Sequence, residues 1–191
     1  MHLSSINKMT AFRRRYLNSQ ATKPLVMFDL GRQDIRGSYR SIFDRPPWQY
    51  VGVDIVPGKN VDVFVRDAYR CRELKANSVD VLISGQTFEH TEFFWETAEE
   101  IARILKPNGL CCVIASWTGP VHRYPLDCWR MNCDGMLAIA RYAGLEVLEA
   151  WRAAFFLNRS GFRCGRAIAF RRSSSRRSKR SVANITADRS P

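Results

Sequence analysis

The chain has 191 residues, 46% of them hydrophobic, and a formal net charge of +12. That length holds one domain with a sizeable core, and no apolar run reaches the roughly 18 residues a membrane span needs. The charge invites a nucleic-acid reading, but its placement counts against one. Lys8, Arg13, Arg14, Arg15 and Lys23 put +5 on residues 1–24. Seven basic residues against Asp188 put +6 on residues 171–191, leaving +1 on everything between. The basicity sits on the ends. The N-terminus lacks an apolar leader, so a cytoplasmic location is expected. Cys71, Cys111, Cys112, Cys128, Cys133 and Cys164 form no CxxC pair and are expected as reduced thiols. Cys128, Cys133 and His122 offer three zinc ligands without an evident fourth, so no metal site is predicted.

Ile6, Met9, Phe12, Arg13, Tyr16 and Leu17 recur at helical spacing and predict a leading helix over 5–20. A first strand follows at Leu25–Leu30, then a glycine-containing turn and a short helical stretch ended by Pro46-Pro47. Strands are predicted at Gln49–Asp54, at the alternating Val61–Val65 and at the buried run Val79–Ser84. Phe94, Ala98, Ile101, Ala102 and Leu105 make one apolar stripe of a helix over 91–105. Lys106-Pro107-Asn108-Gly109 should stop it, and Leu110–Ala115 is the fifth strand. Asp134 is placed to cap a helix running to Ala143, with Gly144 past its end. Leu145–Ala150 and Arg166–Phe170 are two more strands, the last reading as a sheet edge. Arg171–Ser181 cannot pack a core and is expected to be disordered. Strands alternating with helices predict an α/β fold with a mostly parallel sheet covered on both faces.

In such sheets ligands bind beyond the carboxyl ends of the strands, which turns strand ends into site candidates. Asp29 and Gly31 close the first strand, and Gly31 offers a close backbone approach. Asp54, followed by Ile55, closes the second, where a carboxylate can accept both hydroxyl hydrogens of a ribose. A solvated turn residue is the competing reading of Asp54. Asp67 closes the third strand, placed for an adenine amino group, with the Ala68 N–H for a ring nitrogen; an acid here can also simply cap a turn.

The order Phe28-Asp29-Leu30-Gly31, Val53-Asp54, Asp67-Ala68, Ser78-Val79-Asp80-Val81-Leu82, Phe88-Glu89-His90 and Leu105-Lys106-Pro107-Asn108-Gly109 resembles class I S-adenosylmethionine-dependent methyltransferases. It is most similar to the type 11, ubiquinone/menaquinone-biosynthesis-like group, over roughly Leu25–Ala150. The resemblance implies a Rossmann-like three-layer sandwich with a seven-stranded sheet, its last strand antiparallel and inserted between the fifth and sixth. It also implies S-adenosyl-L-methionine as cofactor and a methyltransferase domain, taken over 25–171; the charge distribution adds a basic N-terminal helix or extension over 1–24 and a disordered basic Ser/Arg-rich tail over 172–191. Gly31 and Gly37 are the only glycines of the first loop, where the family usually has GxGxG. That loop is a poor pyrophosphate cradle, which weighs against an NAD-dependent oxidoreductase more than against a sulfonium cofactor.

In related methyltransferases the segment after the fourth strand, here Ser84, Gln86, Glu89 and His90, lines the space between cofactor and acceptor. His90 is a candidate base and Glu89 a candidate acceptor contact; both can instead serve only to start the next helix. After the fifth strand, His122, Tyr124 and Arg130 stand where an acceptor-binding lid would be, although Asp127 can pair with Arg123 or Arg130. The expected reaction is methyl transfer to a small-molecule or glycan-type acceptor. A nucleic-acid-binding protein or RNA methyltransferase using the basic ends is the alternative from another class, and the tail suits anionic membrane surfaces as well. The sequence does not fix an oligomeric state.

Overall fold

The computed structural model describes residues 3–31, 38–151 and 167–172. Seven strands form one sheet: β1 (Val26–Leu30), β2 (Gln49–Asp54), β3 (Val63–Phe64), β4 (Val79–Gly85), β5 (Leu105–Ile114), β6 (Leu145–Trp151) and β7 (Ala167–Arg172). Their order is β3-β2-β1-β4-β5-β7-β6. The first five pair in parallel, and β7 runs antiparallel to both its neighbours. The sandwich with one inserted antiparallel strand is therefore present. β7 is not an edge: it lies between β5 and β6, and β6 closes the sheet. Arg171 and Arg172, expected to open a disordered run, belong to this strand. The rest of that run and the tail, 173–191, lie outside the described residues.

The helices follow the apolar stripes. Ala98, Ile101 and Ile104 of α3 (Phe94–Ile104) and Met136, Ile139 and Ala140 of α4 (Cys133–Tyr142) pack with Leu30, Val53, Leu82 and Val113 on one face. Met9 and Phe12 of α1 (Leu3–Phe12) and Ile42 and Phe43 of α2 (Arg40–Phe43) pack with Met27, Tyr50, Ile83 and Ile114 on the other. Successive strand residues point to opposite faces, so each strand feeds both layers. The leading helix continues past α1 as a widened turn over Arg13–Leu17, and its basic residues do not detach it from the sheet: Leu17 is fully buried.

Tyr16 ties this segment to the far edge, donating its hydroxyl to Glu149 Oε2 at 2.9 Å. Burial, then that bond, pushes the Tyr16 pKa up to about 12. The folded state thus favours the neutral phenol, and the contribution is full below the ordinary value of about 10 and lost as pH rises through about 12. Urea midpoints of the wild type should fall relative to those of Tyr16→Phe above about pH 10 and track them below it.

Three local expectations need correction. β3 is two residues long, because Val65 already turns inward to the core while Asp62 accepts from Gly52 N–H. α3 ends at Ile104 rather than at the proline: Leu105 is extended and pairs with Val79, and 106–109 bulge before Leu110 meets Val81. Asn108 sits in the bulge at φ 65°, the left-handed conformation expected of it. The cap of α4 is Asn132, whose Oδ1 accepts from Gly135 N–H at 2.7 Å, and Asp134 lies inside the first turn. Asn132→Ala should therefore cost about 1 kcal/mol in a urea melt, while Asp134→Ala should cost about half or less.

Candidate active site

The strand order reverses between β1 and β4, and the candidate residues lie around the carboxyl ends of these strands. On the β2 side, Asp54 is 8% exposed and its Oδ1 accepts from Val56 N–H at 3.0 Å. An ionised carboxylate has about four acceptor sites, more than this one bond uses. Ile55 and Val56, 50% and 43% exposed, put aliphatic surface beside the acid. An apolar patch next to a carboxylate fits a nucleoside, whose base stacks and whose ribose donates. Asp67 holds the turn after β3, its Oδ1 accepting from Tyr69 N–H at 2.8 Å, with the half-buried Ala68 next to it.

At β1 the arrangement is tighter. Asp29 is buried and accepts the Tyr50 hydroxyl, so its carboxylate is committed to the layer of α1 and α2. Gly31 adopts φ 78°, and a Cβ there would meet Thr87 Oγ1 at 2.2 Å. Thr87 in turn donates to Leu30 O at 3.3 Å. Gly31 is thus required by the turn and by Thr87, and the expected close approach is taken by that side chain. Residues 32–37 of the loop after β1 lie outside the described residues.

Beyond β4, Ser84 is fully buried with no hydrogen-bond partner for its hydroxyl among the described residues. Gln86 turns the chain at φ 63° and donates its N–H to Ile114 O at 2.7 Å. Phe88–His90 then form a single tight helical turn. Glu89 is fully buried; its Oε1 accepts from the Ser116 hydroxyl at 2.8 Å and from Ser116 N–H at 3.2 Å. Ser116 Oγ also lies 3.1 Å from the Gln86 side chain, so one serine joins the ends of β4 and β5.

The chain after β5 folds back on this turn. Cys128 N–H donates to Glu89 O at 2.7 Å, and Trp129 Nε1–H donates to Thr91 O at 3.0 Å. Trp129 packs edge-on against Phe94, ring centres 5.1 Å apart. This brings the His122 ring within 5.0 Å of the His90 ring, nearly perpendicular to it. Arg130 grips Asp127 through both terminal nitrogens, at 2.5 and 2.7 Å, and donates to Pro120 O. Hydrogen bonds from Arg130, then from His122 N–H, hold the Asp127 carboxyl well below its usual range. Arg130 is therefore a brace of its own loop, whereas Tyr124 stands 56% exposed on it.

Residues 35–113 match the model of a methyltransferase domain. The chain is 28% identical over 117 residues to an uncharacterized methyltransferase of Mycolicibacterium gilvum (strain PYR-GCK), which covers 56% of the chain and 45% of that relative. A Mycobacterium avium (strain 104) methyltransferase is 26% identical over 118 residues, covering 56% and 46%. The chain thus spans about half the length of these relatives. Among solved structures, Burkholderia thailandensis 1,6-didemethyltoxoflavin-N1-methyltransferase, which holds S-adenosylhomocysteine, superposes with TM-score 0.60 at 16% identity, over 88% of the chain and 78% of that structure. An Aquifex aeolicus SAM-dependent methyltransferase superposes with TM-score 0.57 at 16% identity, over 90% and 99%.

Over residues 35–113 the chain is similar to the type 11 methyltransferase domain.

Not every motif of the resemblance sits at the candidate site. Asp80 lies near the amino end of β4, where it takes Lys106 Nζ at 2.8 Å and Val26 N–H at 2.9 Å. It ties the starts of β1, β4 and β5 at the pole opposite the candidate residues. Among the described residues Cys71, Cys111, Cys112 and Cys128 are free thiols. Cys133 is disulfide-bonded, which corrects the expectation of reduced thiols and removes it as a zinc ligand; its partner lies outside the described residues. Sequence reasoning missed Ser116 as the residue that orients Glu89, since a lone serine after a strand carries no signal. Among the described residues no helix is long and apolar enough to cross a membrane.

Proposed function

We propose that the protein is an S-adenosylmethionine-dependent methyltransferase acting on a small-molecule or glycan-type acceptor, in the cytoplasm. The observation that carries this reading is Asp54 at the tip of β2, flanked by exposed Ile55 and Val56, in a sheet ordered β3-β2-β1-β4-β5-β7-β6. Asp54 accepts the ribose hydroxyls, Ile55 lies against the adenine, and Asp67 with the Ala68 N–H reads its edge. The turn at Gly31, backed by Asp29, shapes the floor beneath the amino-acid end. Ser84 and Gln86 stand between this half and the acceptor half. The bound cofactor supplies a methyl group already activated on a sulfonium, so the protein must chiefly position the acceptor in line and remove one proton. His90 and His122 are the groups for that proton. Glu89 and Tyr124 line the acceptor side, and Arg130 keeps the loop that carries His122 and Tyr124 in place.

The basic ends are accessories in this reading, and removing 173–191 should leave cofactor binding unchanged. The test is incubation of the full chain with methyl-labelled S-adenosylmethionine and panels of metabolites and glycans, read by mass spectrometry. A product heavier by one labelled methyl group in place of hydrogen is expected. Absence of transfer to any panel member, with the cofactor bound, would overturn the catalytic part.

A further inference from the structure

Glu89, His90 and His122 each offer one ligand atom, and the three atoms lie within 4.8 Å of one another. Three ligands bonded to one cation at about 2.0–2.2 Å stand about 3.3–3.8 Å from one another. Closure therefore needs at most about 1–1.5 Å of movement, and His122, on an exposed loop, can supply it.

More than proximity points to a ligand. Glu89 Oε2 is buried and has no hydrogen-bond partner among the described residues, while Oε1 is satisfied by Ser116. A buried carboxylate oxygen left so is costly unless a cation meets it. His90 Nδ1 lies 2.5 Å from Leu126 O, a contact that only its N–H form can make, so the ring's lone pair is on Nε2. His122 Nδ1 lies 3.4 Å from Pro120 O and 3.5 Å from Asp127 Oδ2, which favours the same tautomer. Carbonyl and carboxylate partners behind imidazoles are what orients them as metal ligands. The neighbouring Arg130, which could have neutralised Glu89, is spent on Asp127.

We propose that Glu89, His90 and His122 form a binding site for a divalent transition-metal ion, with coordination positions left for an acceptor bearing two adjacent oxygens. Two imidazoles and one carboxylate suit zinc, cobalt, iron or manganese better than magnesium or calcium. When the cation is bound, the two rings act as its ligands rather than as bases. The acceptor role rests on the methyltransferase reading; cation binding does not.

The test is titration of the dialysed full chain with Co²⁺, followed by its visible spectrum, and with Zn²⁺ in competition. One equivalent is expected, with d–d absorption and no thiolate-to-metal charge-transfer band. His122→Ala and Glu89→Gln should each weaken binding at least tenfold and Asp127→Asn about 10- to 100-fold, whereas Cys128→Ser should leave it unchanged. His122 is exposed, so its variant keeps the test valid even if the Glu89 variant does not fold. No saturable binding, a thiolate band, or binding indifferent to His122→Ala would overturn the site. S-adenosylhomocysteine binding is measured on the same samples. Cobalt binding without it keeps the cation site and removes its acceptor role.

Discussion

Asp54→Ala is expected to weaken S-adenosylhomocysteine binding by about 10- to 100-fold, the worth of one or two hydrogen bonds to a charged acceptor. Asp54 also holds Val56 N–H, so part of any loss could come from a loosened β2 tip. Asp54→Asn separates the two effects, because its amide oxygen can still take that N–H while the charge and one acceptor are gone. The expected order of affinity is wild type, then Asn, then Ala, with the unliganded melting temperature falling only for Ala. Calorimetric titration of the three proteins gives the comparison. Equal affinity of wild type and Asp54→Ala would remove Asp54 from the site.

The largest effect on folding is expected at Gly31. Gly31→Ala places a Cβ at φ 78°, which costs about 1–2 kcal/mol for an L residue, and drives it to 2.2 Å from Thr87 Oγ1. Thr87 follows the β4 tip and bonds to Leu30 O, so it cannot yield without disturbing the turn of Gln86. Overpacking of this kind adds about 1–3 kcal/mol. A total of about 2–5 kcal/mol is a large share of a small domain's stability and should be plain in a urea melt. The double variant Gly31→Ala with Thr87→Ala removes the Oγ1 and Cγ2 contacts but keeps the Thr87 Cβ at 2.9 Å and the backbone conformation, and should recover only part of the loss, less than half. If the double variant is no more stable than the single one, the collision is not the cause. Cofactor affinity should fall in both variants, because the conformational strain sits under the proposed amino-acid end.

What the sequence disclosed, and what it did not, follows from the range of the signals. The places of Asp54 at the end of β2 and Asp67 in the turn after β3 were legible because an apolar run that ends in an acid is a local pattern. The stripes of α3 and α4 were legible for the same reason. The insertion of β7 between β5 and β6 came only through resemblance, since local patterning does not order strands. The proximity of His122 to His90 was out of reach altogether. It depends on Cys128 and Trp129 N–H groups docking on Glu89 O, a fold-back across some forty residues with no spacing rule. Arg130 illustrates the reverse case: its charge made it a candidate contact, and only its grip on Asp127 shows how that charge is used. Asn132 took the cap from Asp134 because both are good caps two residues apart, and the entry angle of the chain decides between them.

The most direct measurement is calorimetric titration of the full chain with S-adenosylhomocysteine, run beside NAD⁺ under the same conditions. Saturable binding of about one equivalent of S-adenosylhomocysteine, at roughly micromolar affinity, with no heat from NAD⁺, is the predicted result. No binding of S-adenosylhomocysteine at millimolar concentration would contradict it.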